Sequence, residues 1–330
     1  MNFDFSRVPR VALGHLPTPL EPIDRFAERI KSNCRLWIKR DDCTGLATGG
    51  NKTRKLEFLL GDALAKRADA VITFGALQSN HARQTAAACA RLGLECHLIL
   101  SQMVKRHDGD YQWNGNLLLD KLLGAKVHRV SPDEVRDCLD NVKRLLEWAG
   151  KTNVYVIPPG GSNGIGAIGY VACAQEIAAQ TQQLGFTPQY VTHASSSCGT
   201  QAGLALGFYG TPTRVSGVNV SDASSDEMAG KIVAIAADAG TALGIVPPRI
   251  DVEVHNGFVG DGYGQPTPEG RGAIRILAET EGILIDPVYT GKALAWLLRT
   301  VRSDGYAPGG NVVFVHTGGA AALAAYTTEF

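Results

Sequence analysis

Ala70-Val71-Ile72-Thr73-Phe74-Gly75-Ala76-Leu77-Gln78-Ser79-Asn80-His81 opens on a short apolar run, breaks at a glycine and continues into a polar turn. Residues 70–74 are too few for a helix and lack the polar alternation of a half-wet strand. They predict a strand buried on both faces of its sheet. An alanine-rich stretch over 81–92 predicts a helix, and 97–100 predicts the next strand. A strand, a covering helix and a second strand at this spacing form a unit whose strands run parallel.

The same rhythm extends in both directions. Strands are expected at 34–39, 126–130, 154–157, 190–193, 215–220 and 312–315, and helices at 51–66, 114–123, 133–149 and 201–208. In the 51–66 stretch, Leu56, Leu59, Leu60, Ala63 and Leu64 recur with helical period. The expected fold is α/β, with two domains, each an open, mostly parallel twisted sheet carrying helices on both faces. Residues 52–160 read as a self-contained small domain. Residues 1–51 and 161–330, richer in glycine loops, read as a large cofactor-binding domain, and the cleft between two such units is the usual place for a cofactor. No repeat or low-complexity linker interrupts the chain.

Composition narrows the function. The 330 residues are 45% hydrophobic and 19% charged, with 32 basic and 32 acidic side chains. A balanced charge argues against nucleic acid or an anionic membrane as partner. No apolar run reaches the ~20 residues of a membrane helix, and residues 1–7 do not resemble a secretory signal, so a cytoplasmic location is expected. The seven cysteines include no CxxC pair, and the eight histidines show no metal-ligand spacing. No metal and no disulfide framework are expected. Cys89, Cys138 and Cys173 fall in Ala- or Leu-rich stretches and read as small core residues.

Gly49-Gly50-Asn51-Lys52-Thr53-Arg54-Lys55 places an amine just after a glycine pair, at the start of a helix. Most lysines are solvated surface charges, but a desolvated lysine in such a turn titrates low enough to form a Schiff base with an aldehyde. The stretch 45–53 nearly spells a phosphate-binding P-loop. Asn51 stands between the last glycine and the lysine, and no strand directly precedes it, so that reading fails. Gly164-Ile165-Gly166-Ala167-Ile168-Gly169 matches the dinucleotide pattern GxGxxG, the basis of an oxidoreductase alternative. The acid that should follow about 20 residues on is missing, and close helix packing explains the glycines as well.

Ser195-Ser196-Ser197-Cys198-Gly199-Thr200-Gln201-Ala202-Gly203 is the better anion cradle. It lies between an expected strand and helix, where small residues let consecutive N–H groups face a phosphate. A plain helix cap would account for Thr200 but not for the whole run. Gln78-Ser79-Asn80-His81 lies at the C-terminal edge of its strand, where α/β proteins bind ligands; Ser79 or Asn80 also suits an ordinary helix cap. Asp286-Pro287-Val288-Tyr289-Thr290-Gly291-Lys292 and Gly262-Tyr263-Gly264 set tyrosines beside glycines, and a phenol near a cationic imine is a candidate acid or base. His316-Thr317-Gly318-Gly319 forms another polar turn at a sheet edge.

In this order, the GGNK lysine, the QSNH turn, the SSSCGTQAG cradle, DPVYTGK and HTGG resemble the pyridoxal-phosphate enzymes of the tryptophan-synthase-β fold. The branch is the one holding D-cysteine desulfhydrase, L-cysteate sulfo-lyase and 1-aminocyclopropane-1-carboxylate (ACC) deaminase, and the likeness runs from Pro17-Thr18-Pro19-Leu20 to Gly319. The resemblance implies that Lys52 takes the aldehyde of pyridoxal 5'-phosphate and later moves the α-proton. It implies that Asn80 bonds the cofactor's phenolic oxygen, and that Ser196, Ser197, Cys198, Gly199 and Thr200 hold the phosphate with Lys55 nearby. Ser79, Asn80 and His81 lie toward the substrate. Tyr289 reaches the substrate with Tyr263 close by, making Lys52, Ser79, Tyr289 and Tyr263 the candidate catalytic groups. Thr290 or Thr317 faces the pyridine nitrogen.

The implied reaction is α,β-elimination on a sulfur-containing amino acid, giving pyruvate and ammonia, by a homodimer. Residues 42–50 look more like the cysteate lyases, so L-cysteate with release of sulfite is the expected substrate. D-cysteine with release of sulfide is the alternative. ACC deaminase carries an acid after the tyrosine where this chain has Thr290, which demotes the cyclopropane substrate. A catalytically silent carrier of the cofactor is the remaining possibility.

Overall fold

A computed structural model describes residues 3–330. Its ten strands are β1 (Leu20–Pro22), β2 (Arg35–Arg40), β3 (Ala70–Ala76), β4 (Glu95–Ser101), β5 (Lys126–Val130), β6 (Val154–Ile157), β7 (Tyr190–Ser195), β8 (Arg214–Asn219), β9 (Glu253–His255) and β10 (Asn311–His316). They form two sheets, one ordered β1-β2-β10-β7-β8-β9 and one ordered β5-β4-β3-β6. Every pairing is parallel except β1 with β2. This is the expected α/β architecture. The opening stretch lies at the heart of the smaller sheet: Ala70, Val71, Ile72 and Thr73 of β3 are inaccessible to solvent between β4 and β6. The strand continues past the predicted end to Ala76 because β4 pairs with it as far as Ser101.

Three helices that the sequence reading did not mark, Ser225–Ala242, Pro268–Glu281 and Thr290–Arg302, pack on the larger sheet's side of the molecule. Of the cysteines expected in the core, Cys89 and Cys173 are buried, whereas Cys138 is only half-buried. Its helix, Val135–Trp148, buries only Val142 and Leu146, so one face of it meets the small sheet. Among the described residues no helix is long and apolar enough to cross a membrane, and no cluster of His, Cys, Asp and Glu is arranged to hold a metal ion.

The GxGxxG stretch is a packing motif. It begins the helix Gly164–Gln183, which crosses the helix Lys52–Ala65 closely. A Cβ on Gly169 would lie 2.2 Å from the carbonyl oxygen of Arg54, and one on Gly166 would lie 2.1 Å from that of Gly161. Glycine is required here because backbone meets backbone.

A buried ionic cluster fastens the same crossing. Arg54 donates to Asp41 at 2.8 Å and 2.9 Å and to Glu176 at 2.9 Å. Lys39 reaches Glu176 at 2.5 Å, and Tyr170 gives its hydroxyl to Asp41 at 2.5 Å. The arginine holds the Asp41 carboxyl below its usual range despite full burial. The cluster joins β2, the Lys52 helix and the Gly164 helix, and so fixes the helix that carries the candidate lysine.

Candidate active site

The C-terminal edges of β3, β7 and β10 converge on one cavity of about 360 Å³, within the range of small-ligand sites. Lys52, Ser79, Asn80, His81, Ser196, Ser197, Cys198, Thr200, Tyr263, Tyr289 and Thr317 all line it. The turns singled out along the sequence therefore meet in space, at sheet edges where α/β folds place their ligands.

Lys52 is the first residue of its helix, with Asn51 before it. Its Nζ donates to Asn51 Oδ1 at 2.8 Å, and Asn51 Nδ2 donates to Thr200 Oγ1 at 3.0 Å. Asn51 thus spans from the amine to the serine-rich turn. Burial lowers the Lys52 pKa to about 8; the Asp286 carboxylate opposes this and the Arg83 guanidinium adds to it. About a tenth of the amine is therefore uncharged at pH 7, far more than for a free lysine, and the uncharged form is the one that attacks an aldehyde.

The serine-rich turn runs from β7 into the helix Gly199–Gly207. Cys198 adopts a left-handed conformation, φ 74°, which turns the chain into the helix. Lys55 lies behind this turn rather than in the open cavity. Its Nζ donates to Gly160 O at 3.1 Å and Ser162 Oγ at 3.0 Å, and a Cβ on Gly199 would approach it to 2.9 Å. Desolvation holds its pKa well below the usual lysine range. A buried amine that a nearby anion would protonate, set behind a helix N-terminus lined with hydroxyls, is chemically suited to a phosphate dianion.

Ser79 caps the helix Asn80–Leu92, its Oγ accepting from Ala82 N at 3.1 Å while the residue still lines the cavity. The capping expectation holds, and capping leaves the residue at the cavity wall. Asn80 is oriented by Asn116, whose Nδ2 donates to Asn80 Oδ1 at 2.8 Å, so that the Asn80 amide nitrogen remains as the donor. Asn116 is itself held by Arg83 at 3.1 Å, and Arg83 also donates to the carbonyl of Gly49 at 2.7 Å. His81 pairs its Nε2 with Thr73 Oγ1 at 2.8 Å and leaves Nδ1 without a partner. Desolvation and the charges of Lys52 and Lys55 depress its pKa, so this ring is neutral.

Tyr289 and Tyr263 meet hydroxyl to hydroxyl in the cavity wall. Burial raises both phenols above the usual tyrosine range. Of the two threonines proposed for the pyridine nitrogen, only Thr317 lines the cavity. Thr290 is a correction. Its Oγ1 donates to Asp286 Oδ1 at 2.5 Å, and Asp286 in turn accepts from the backbone N–H groups of Val288, Tyr289 and Thr290. Thr290 is buried in the start of the helix Thr290–Arg302, turned into its cap.

Several lining residues escaped the sequence reading. Asn51 was seen only as the residue that spoils a P-loop. Ser195, the first residue of the serine-rich run, also lines the cavity, with its hydroxyl unpartnered. Met103, Ser221, Asp222 and Lys231 also reach it, from segments with no motif. The fit to pyridoxal phosphate rests on these features: an amine of lowered pKa, a hydroxyl-rich helix N-terminus backed by a lysine, an oriented amide donor, and polar atoms at His81 and Ser195 left unpaired.

A family model described as pyridoxal-phosphate-dependent enzyme matches residues 11–318. A D-cysteine desulfhydrase of Yersinia enterocolitica is 43% identical over 331 residues, covering 99% of this chain and 98% of that protein. One of Klebsiella pneumoniae is 43% identical over 98% of both chains. A crystal structure of an ACC deaminase homologue superposes with a TM-score of 0.86 at 36% identity, over 98% of this chain and 95% of that one.

Proposed function

We propose, from the premise that this chain belongs to the pyridoxal-phosphate-dependent enzymes, that it is a carbon–sulfur lyase acting on D-cysteine. The products are sulfide, pyruvate and ammonia. The likeness of the whole chain to D-cysteine desulfhydrases, at 42–43% identity, carries the substrate choice. It displaces L-cysteate, the substrate expected from residues 42–50. The cavity supports the change. Asp222 and Lys231 both line its wall, Asp222 accepting from Tyr263 N at 2.9 Å, so these two wall charges cancel and supply no net positive charge for a second anionic group.

When bound, the cofactor supplies the electron sink that makes the α-proton of an amino acid acidic. The protein's own residues do the rest. Lys52 would hold the cofactor through its aldehyde, and its amine, uncharged once free, would take the α-proton. Ser196–Thr200 and Lys55 would hold the phosphate, Asn80 would supply a donor for the phenolic oxygen, and Thr317 would be the hydroxyl on the side of the pyridine nitrogen. Ser79 and His81 flank the substrate carboxylate. Loss of the α-proton and of the β-sulfur leaves an enamine whose hydrolysis, after release, gives pyruvate and ammonia. Tyr289 and Tyr263, both kept protonated by burial, would give a proton to the departing sulfur.

The same reading takes 52–160 as the small domain and 1–51 with 161–330 as the large one. It is supported by the strand inventory, since β3 to β6 make one sheet and all other strands make the second. A homodimer is the assembly that goes with it.

The test is a product assay on purified holoenzyme against D-cysteine, L-cysteine, L-cysteate and the cyclopropane amino acid. Sulfide and pyruvate from D-cysteine are expected. Sulfite from L-cysteate without sulfide from D-cysteine would reverse the substrate assignment.

A further inference from the structure

Lys292 stands three residues after Tyr289, in the first turn of the same helix, and its side chain is wholly buried. Among the described residues it forms no ion pair. Its Nζ donates instead to two backbone carbonyls, Val259 O at 2.6 Å and Gly262 O at 3.2 Å. Burial drops its pKa to about 8, against the pull of Asp286, Asp222 and Asp261. A buried ammonium without a counterion is costly unless backbone dipoles solvate it. Such a group is poor core filling, which raises the question of what the two carbonyls gain from it.

They belong to the loop Val259-Gly260-Asp261-Gly262-Tyr263-Gly264. Gly260, Gly262 and Gly264 all have positive φ, at 68°, 133° and 78°, so no helix or strand ladder can hold this backbone. The loop carries Tyr263 into the cavity. Its other ties are Asp222 to Tyr263 N, the Tyr326 hydroxyl to Gly264 O at 2.8 Å, the turn bond from Gln265 N to Gly262 O at 3.3 Å, and the contact between the Tyr263 and Tyr289 hydroxyls. The helical turn that bears Tyr289 therefore also bears the lysine that docks the loop of Tyr263. One rigid turn sets the separation of the two phenols.

We infer that Lys292 is a positioning residue that seats the glycine loop so that Tyr263 meets Tyr289 at the substrate. This rests on the β-elimination reading for its consequence in turnover, but the seating itself is a property of the protein without ligand. Lys292 touches neither cofactor nor substrate. Its removal leaves the phosphate turn and Lys52 in place and loosens one phenol of the pair.

The experiment compares wild type with Lys292→Met, which keeps the apolar stem, and Lys292→Gln, which keeps a donor and serves if the first fails to fold. Pyridoxal phosphate affinity should stay within about threefold of wild type. The kcat for sulfide release should fall about tenfold to a hundredfold, the scale of a displaced catalytic group, with a smaller change in KM. Adding Tyr263→Phe should lower kcat no further, because both changes remove the same placement. A second readout needs no activity: alkaline titration of the phenols in cofactor-free protein. In wild type the buried pair ionises above the free tyrosine value of about 10, and in Lys292→Met one phenol should return toward it. Wild-type kcat in a folded variant, losses that multiply with Tyr263→Phe, or an unchanged phenol titration would overturn the inference. A wild type that binds cofactor but releases no product would defeat the proposed function alone, and the titration would still decide the role of Lys292.

Discussion

Lys52 Nζ donates to the side-chain oxygen of its own chain neighbour, Asn51, at 2.8 Å, and the far end of that amide holds Thr200. The residue that breaks the P-loop pattern is the one that connects the amine to the phosphate turn. Replacing Asn51 with Ala should leave Lys52 able to take the aldehyde but badly aimed. We expect kcat to fall roughly tenfold or more and cofactor affinity to drop, measured by steady-state assay and by cofactor titration.

The buried amine also makes a stability prediction. The Lys52 pKa falls from 10.5 to about 8 in the folded chain. Between those values the unfolded chain keeps a proton that the folded chain has shed. The cost of burying the ammonium is thus full below pH 8 and fades as pH rises toward 10.5, roughly 3 kcal/mol at its largest. Cofactor-free Lys52→Met should therefore melt several degrees above cofactor-free wild type at pH 7. Thermal scans across pH should show the gap closing by the alkaline end; a gap independent of pH would contradict the assignment.

Gly169 separates packing from dinucleotide binding. A Cβ there meets the Arg54 carbonyl at 2.2 Å, so Gly169→Ala should cost about 1–3 kcal/mol in denaturant unfolding. Wild type should show no binding of NAD(H) by fluorescence.

Arg54 is the hub of the buried cluster, 2% exposed between Asp41 and Glu176. Arg54→Met would leave Asp41 charged and unpaired in the interior, and should destabilise the protein by about 3–5 kcal/mol. The double variant with Asp41→Asn should recover part of that loss in the same unfolding measurement.

Thr317 and Thr290 should part company. Thr317→Val, at the cavity wall, should weaken cofactor binding and shift its visible absorbance. Thr290→Val removes only a hydroxyl from the Asp286 cap, with an expected cost of about 1 kcal/mol and little spectral change.

What the sequence revealed follows from the range of each interaction. The strand 70–74, the serine turn and the QSNH turn are local patterns, and each sits where its residues said it would. Ser79 was legible because a helix cap and a sheet-edge ligand turn need the same kind of residue. Thr290 misled because its partner lies four residues back: Asp286 collects three backbone N–H groups and the threonine hydroxyl, a cap that was read instead as a tyrosine motif. Arg83 and Asn116, which orient Asn80 and the Gly49 turn, are brought together by the packing of the helices Asn80–Leu92 and Gly115–Leu122 and carry no local signature. Lys292 was in view within DPVYTGK, but its purpose depends on a loop 30 residues away in the chain. The expectation of L-cysteate rested on residues 42–50, which form short turns beside the site and line none of the cavity, so this stretch carries little information about the leaving group.

The most direct test of the central claim is the ratio of sulfide to pyruvate released from D-cysteine by the holoenzyme, with Lys52→Ala measured alongside. Equal amounts of the two products from wild type, and neither from Lys52→Ala, are what a lysine-dependent β-elimination requires. Pyruvate without sulfide, or undiminished turnover in Lys52→Ala, would contradict it.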